Sequence, residues 1–240
     1  MTDNGRDISE EVLSDLRARS PRPSLLDEAV AVSRCRFGWY TRQPSRAFEY
    51  VWVMERLAPV IGRAVLDIGA GISPIPLLLA KRGAAVTTLD HSPLHRDPDH
   101  NDGSWNEWGF LDYSRFHPGI RSLNQDIRDW QCPPHSLDAV YSISVVEHMP
   151  ATCRRTIWEG SRRWIKFGGA LIVTVDVVPG STDLWNRNQG RPVEPPSDHG
   201  TVEDFLGEIA PDFDVVETAW LRDLPHGQPT DCFMVSARRR

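Results

Sequence analysis

The sequence predicts a doubly wound α/β domain with a mostly parallel sheet that ends in an antiparallel hairpin. Three observations carry that prediction. From Ala64 to Val175, short apolar runs that read as strands alternate with stretches of helical spacing, which places parallel strands in one sheet with helices on both faces. A glycine-rich turn, Asp67-Ile-Gly69-Ala-Gly71, follows the first of these strands. Finally, Phe213–Trp220 and Cys232–Ala237 are joined through Leu224-Pro-His-Gly-Gln-Pro229 with no helix between them, so they pair antiparallel.

The elements follow in order. Residues 1–43, charged and broken by Ser20-Pro-Arg-Pro-Ser24, read as an N-terminal extension or capping arm ahead of a domain spanning 44–240. Phe48, Val51, Trp52, Met54, Leu57 and Ala58 give Pro44–Ile61 a helical apolar face, and Gly62 ends it. Ala64–Ile68 is the first strand. Ser73 suits a helix N-cap and Pro74 the first helical position, where a missing N–H costs nothing. That helix runs to Arg82, with Gly83 as its stop. Ala85–Leu89 is the next strand and ends at Asp90; Ile120–Asn124, Leu137–Ile143 and Ala170–Val175 complete the parallel set. Ile157, Trp158, Trp164 and Ile165 mark a helix before the last of these, closed by Gly168-Gly169.

Composition narrows the function classes. The chain has 240 residues, 40% hydrophobic and 25% charged, which describes an ordinary globular protein. No run approaches the roughly 18 apolar residues of a membrane span. The first ten residues are polar and lack an apolar signal region, so a cytoplasmic protein without a membrane partner is expected. Cys35, Cys132, Cys153 and Cys232 form no CxxC pair, which argues against a disulfide framework or a zinc ribbon. The net charge of −6 disfavours binding along a phosphate backbone, and DNA is not expected as a partner. His91, His95 and His100 sit in an Asp/Pro-rich loop without a helical frame, so no metal site is expected.

The glycine turn carries the chemistry. In open α/β sheets ligands bind at the carboxyl ends of the strands, and glycines there let the backbone approach a ligand closely. Asp90 ends the second strand, at a distance suited to a carboxylate that binds a ribose diol. A dinucleotide fingerprint requires G-x-G-x-x-G, but Pro74 stands at its last position, and Asp67 would repel a pyrophosphate. An NAD(P)-dependent oxidoreductase is therefore the lesser reading. S-adenosylmethionine, with an ammonium group, a ribose diol and an adenine but no phosphate, suits these acids better.

These segments resemble the class I S-adenosylmethionine-dependent methyltransferases, in particular the small type 11-like group. The resemblance rests on Val65-Leu-Asp67-Ile-Gly69-Ala-Gly71, Thr88-Leu-Asp90, Asn124-Gln-Asp126-Ile127 and the run from Leu137 to Ser144-Val-Val-Glu147-His148. It implies a Rossmann-like seven-stranded sheet and S-adenosyl-L-methionine as cofactor. Carried over by position, it implies that Gly69 and Gly71 turn against the methionine part while Asp67 holds the turn and the amino group. Asp90 takes the ribose hydroxyls, with His91 beside it. Asp126 accepts from the adenine amino group, Ile127 supplies an apolar wall, and Ser144 faces the methionine end through its carbonyl. Arg46 is a candidate partner for the methionine carboxylate.

The acceptor is less legible. Methyl transfer from a sulfonium chiefly requires alignment and exclusion of water, and a base helps only where the acceptor carries a proton to lose. His148 is the candidate catalytic base, with Glu147, Asp176 and Asp198–His199 as weaker candidates. Residues 93–118, with Trp105, Trp108, Phe110, Tyr113 and Phe116, and residues 179–200, with Trp185, read as insertions bordering the acceptor site. The aromatics suit either a wall for the acceptor or an anchor to the sheet. A small-molecule acceptor, such as a natural-product or sugar-like hydroxyl or amine, leads this reading. RNA or protein methylation through the Arg-rich stretch 154–163, or a non-catalytic S-adenosylmethionine-binding role, are the alternatives.

Overall fold

The structure, a computed structural model, describes residues 7–100, 105–188, 190–224, 226 and 230–240, apart from the side chain of His100. Its order is α1 (Glu10–Arg19), α2 (Pro23–Phe37), α3 (Arg46–Leu57), β1 (Ala64–Ile68), α4 (Ile75–Lys81), β2 (Ala85–Asp90), β3 (His95–Arg96), β4 (Phe110–Leu111), β5 (Ile120–Asn124), β6 (Leu137–Ile143), α5 (Ala151–Trp164), β7 (Ile165–Val177), α6 (Pro196–His199), α7 (Val202–Ile209), β8 (Phe213–Leu221) and β9 (Asp231–Arg239). Seven strands form one sheet in the order β5-β2-β1-β6-β7-β9-β8, with only β9 antiparallel to its neighbours. Strand order reverses between β1 and β6, which opens the crevice where such sheets bind ligands. No helix among the described residues is long and apolar enough to cross a membrane.

Before residue 44 the described residues include two helices, α1 and α2. Ser9 caps α1 by accepting from the Val12 N–H at 3.3 Å, and Pro23 opens α2. Leu13, Leu16, Leu26, Phe37 and Tyr40 are all fully buried, in the same apolar cluster as α3, α4 and the insertion's Trp105 and Tyr113. The opposite face of the sheet is covered by α5 and α7, through Ile157, Trp158, Trp164, Phe205 and Ile209. Both faces of β1 and β6 are therefore enclosed, as a central parallel strand requires.

Two boundaries differ from the sequence reading for identifiable reasons. Pro74, not Ser73, is the cap residue of α4, because Pro74 and Pro76 have no N–H to offer. The Ser73 hydroxyl accepts from the first amide available, Ile75 N–H, at 3.2 Å. The helix before β7 ends at Trp164, and Gly168-Gly169 lie inside the strand. There the β6–β7 register shifts, and a Cβ on Gly169 would stand 2.9 Å from the Asp138 carbonyl oxygen. These glycines accommodate a bulge, not a helix stop.

Candidate active site

The turn after β1 is built by contacts that leave no room for side chains. Gly69 and Gly71 have φ of +72° and +50°, which other residues adopt at a cost. A Cβ on Gly69 would lie 2.4 Å from Val145 Cγ1, and one on Gly71 would lie 2.4 Å from the Glu107 carbonyl oxygen. The Gly71 N–H donates to Asp90 Oδ2 at 2.8 Å, so the β2 carboxylate holds the turn as well as facing the crevice. Tyr113, from the 93–118 insertion, pins the other side. Its Oη accepts from Ser73 N–H at 2.7 Å and lies 2.9 Å from Gly71 O and 3.1 Å from Ser73 O, either of which can take its proton. Nothing in the spacing of the sequence marks Tyr113 for that role.

A cavity of about 700 Å³ opens on this turn. It is lined by Asp67, Gly69, Gly71, Asp90, His91, Asp126 and Ile127, and also by Arg46, Glu107, Trp108, Ser144, His148 and Asn188. All ten residues assigned from the sequence therefore meet in one cavity, including Arg46, which comes from α3. Asp67 accepts from Tyr141 Oη at 2.7 Å, yet burial pushes its carboxyl up to about 8. Burial also raises Asp90, against the opposing pull of the Gly71 N–H. Asp126 behaves differently. Arg128 clamps it through Nε at 2.9 Å and Nη2 at 2.5 Å, holding the carboxyl down to about 2. His91 is largely exposed, its Nδ1 3.6 Å from Asp126 Oδ2. Of the loop histidines, His95 lies 3.0 Å from Asn124 Nδ2, and the His100 side chain is outside the described residues.

Arg46 is buried, and its Nη1 donates to Ser144 Oγ at 2.7 Å and to Glu49 Oε2. Ser144, itself at φ +48°, donates onward to Glu49 Oε1 at 2.7 Å, and Thr174 Oγ1 donates to the same oxygen at 2.5 Å. Burial would raise the Glu49 carboxyl, but Arg46 and these hydroxyls outweigh it and hold Glu49 below its ordinary value. Glu49 escaped the sequence reading because, on a helix of apolar periodicity, a single acid reads as solvent-facing. Behind Ser144, Glu147 Oε1 accepts from Asp176 N–H at 2.9 Å. Glu147 Oε2 is enclosed and has no hydrogen-bond donor among the described residues.

His148 is tethered through Nδ1, which lies 2.6 Å from the Arg187 carbonyl oxygen. A carbonyl only accepts, so Nδ1 carries the proton and Nε2 keeps its lone pair. Burial also lowers the His148 pKa, which favours that neutral ring. The Trp108 ring lies 5.8 Å from the His148 ring and is 54% exposed, whereas Trp105 and Tyr113 are buried in the core. The insertion's aromatics thus divide, Trp105 and Tyr113 serving as anchors and Trp108 as cavity wall. Among the described residues of the 179–200 segment only Asn188 lines the cavity, and the Trp185 backbone N–H donates to the Asp176 carbonyl at 2.9 Å. His199 is buried 2.9 Å from Glu194 and does not line the cavity.

The fold and this turn define a class I S-adenosylmethionine-dependent methyltransferase, with S-adenosylmethionine as the cofactor. Residues 66–173 match the model of the type 11 family, described as a methyltransferase domain. Solved structures with the same fold include an S-adenosylmethionine-dependent methyltransferase from Mesorhizobium loti (17% identity, 80% of this chain and 97% of that one, TM-score 0.57). The N-methyltransferase NodS from Bradyrhizobium japonicum WM9 is similar at 16% identity over 79% of this chain and 93% of its own, with a TM-score of 0.55. A geranyl diphosphate C-methyltransferase from Streptomyces coelicolor A3(2), solved with Mg2+, geranyl diphosphate and S-adenosyl-L-homocysteine, shares 14% identity over 80% and 77% of the chains, with a TM-score of 0.55. At such identities the likeness is one of fold. A comparison with curated proteins finds no match.

Proposed function

We propose that the chain transfers a methyl group from S-adenosylmethionine to a hydroxyl or amine of a small molecule held in the cavity beside Trp108 and His148. The observation that carries this reading is one cavity that brings together two chemically distinct sets of groups. One set is the glycine turn with Asp90 and Asp126. The other is an indole face, a neutral imidazole and the buried Arg46. The cofactor supplies a methyl already activated on a sulfonium, so the protein's work is binding, alignment and exclusion of water.

The first set fits that cofactor. Asp90, held in place by Gly71, accepts from the ribose hydroxyls, and Asp126 accepts from the adenine amino group beside the apolar Ile127. Asp67 meets the ammonium group, whose charge favours the ionised carboxylate over the neutral form that burial imposes. Arg46 has its Nε 3.7 Å from Glu107 and is positioned on the cavity wall to take the methionine carboxylate, with the Ser144 carbonyl in the same set. His148 serves the acceptor through its unprotonated Nε2, and Trp108 offers a flat apolar face to an aliphatic or sugar ring.

An RNA or protein acceptor is less well supported. Arg154, at the start of the Arg-rich stretch, is fully buried and paired with Glu208 at 2.8 Å, and Arg162 is tied to Asp212 at 3.0 Å. The test is incubation with methyl-labelled S-adenosylmethionine and separate pools of small hydroxyl and amine compounds, RNA and protein. Label in the small-molecule pool supports the proposal. Label confined to RNA or protein overturns it, and cofactor binding without transfer to any pool leaves the non-catalytic role.

A further inference from the structure

Glu147, His148 and Asp176 each offer a ligand atom, and these atoms all lie within 4.8 Å of one another. Three features set the group apart from an ordinary acidic cluster. First, it is enclosed: Glu147 has no exposed surface and Asp176 very little. Second, Glu147 Oε2 is buried without a donor among the described residues, an arrangement that costs free energy unless something positive meets it. Third, His148 gives its Nδ1 proton to the Arg187 carbonyl, and its Nε2 lone pair lies 3.9 Å from Glu147 Oε1. An imidazole whose other nitrogen donates to a backbone carbonyl is the arrangement that orients a metal-ligating histidine.

Charge balance points the same way. Arg46, the cation that acts on both acids, is shared with Glu49 through a direct ion pair, and Glu107 also faces it at 3.7 Å. Two buried carboxylates, Glu147 and Asp176, then stand beside a neutral imidazole without a countercharge of their own. A divalent cation answers this fully, because two carboxylates and one imidazole match its charge and leave coordination positions open.

We propose that Glu147, His148 and Asp176 bind one divalent transition-metal cation of the Mn2+ or Zn2+ type at the cavity wall, where it receives an acceptor hydroxyl. The proposal rests on the small-molecule reading above and narrows it to hydroxyl acceptors. Of the three ligands only His148 lines the cavity, so the cation stands in the wall with its open positions toward the acceptor. A coordinated hydroxyl loses its proton to solvent at a lower pH than a free one. Its oxygen then forms the bond to the methyl carbon while the carbon–sulfur bond breaks and its electron pair returns to sulfur, leaving a neutral thioether. His148 thus serves the acceptor through the cation instead of taking the proton itself.

The probe is Mn2+, added to the metal-stripped full chain at pH 7 and followed by loss of the free-ion resonance signal. Binding near one ion per chain is expected. Glu147→Gln and Asp176→Asn, on different elements, should each weaken Mn2+ binding at least tenfold. S-adenosylhomocysteine affinity, measured on the same metal-stripped samples, should stay within about threefold and reports separately on the cofactor reading. Absence of Mn2+ binding up to millimolar concentration in the unaltered chain overturns the proposal, as does binding that both variants leave unchanged. If one variant fails to fold, the other variant decides. Tight capture of an organic amine without any Mn2+ binding would mean that the carboxylates serve an ammonium group, and also overturns it.

Discussion

Arg46 Nη1 reaches Ser144 Oγ at 2.7 Å, joining α3 to the exit of β6 across 98 residues of sequence. The same guanidinium neutralises Glu49, which has no exposed surface. Replacing Arg46 with Met should strand Glu49 as an unpaired buried charge and cost roughly 3–5 kcal/mol of stability. Arg46→Met combined with Glu49→Gln should recover a large part of that loss. Urea unfolding of both variants checks it, and equal stability of the single and double variants would contradict the pairing.

Asp67 should give the cofactor-free protein a distinctive pH dependence. Its folded value of about 8 lies above the ordinary 3.8, so the folded state holds its proton more tightly than the unfolded chain does. The resulting stabilisation is complete below about pH 4 and is lost as pH rises through about 8. Asp67→Asn should therefore raise Tm at pH 8 more than at pH 5. Thermal melts at the two pH values test this, and an identical shift at both would show that Asp67 is ionised throughout.

Tyr113 should matter to cofactor binding although its ring is buried away from solvent. Tyr113→Phe removes the acceptor of Ser73 N–H and should cost about 1–3 kcal/mol of stability. It should also weaken S-adenosylhomocysteine binding several-fold, because the Gly71 turn loses its brace. Unchanged affinity in a folded variant would limit Tyr113 to packing.

Trp105 and Trp108 should separate cleanly. Trp105→Ala, in the core, should destabilise by roughly 3–5 kcal/mol. Trp108→Ala should leave stability within about 0.5 kcal/mol, as for other exposed sites, while raising the acceptor KM. Denaturation and steady-state kinetics of the two variants decide, and a Trp108 variant that melts like the Trp105 variant would place the ring in the core.

Much of this arrangement was legible in the sequence, because it depends on local signals. A strand running into Asp67-Ile-Gly69-Ala-Gly71, an acid at the next strand end and a helix-free final hairpin are periodicity and turn chemistry, and they placed the crevice. What stayed hidden depends on long-range packing. Glu49 acquires its character from burial against Arg46, and no spacing encodes that. Tyr113 braces a turn some 40 residues upstream, so its hydroxyl could not be told from its ring's apolar bulk. The bulge at Gly168-Gly169 likewise reads as a helix stop until its strand partner is known.

The most direct test of the account is S-adenosylhomocysteine binding to the unaltered chain and to Asp90→Ala, measured by calorimetry with NADH as the control ligand. The account predicts binding of S-adenosylhomocysteine, none comparable for NADH, and a loss of about 2–4 kcal/mol in Asp90→Ala, which removes a charged acceptor from two ribose hydroxyls and from Gly71 N–H. An Asp90→Ala chain that stays folded and binds S-adenosylhomocysteine as tightly as the unaltered one would contradict it, as would tight NADH binding with no response to the adenosyl ligand.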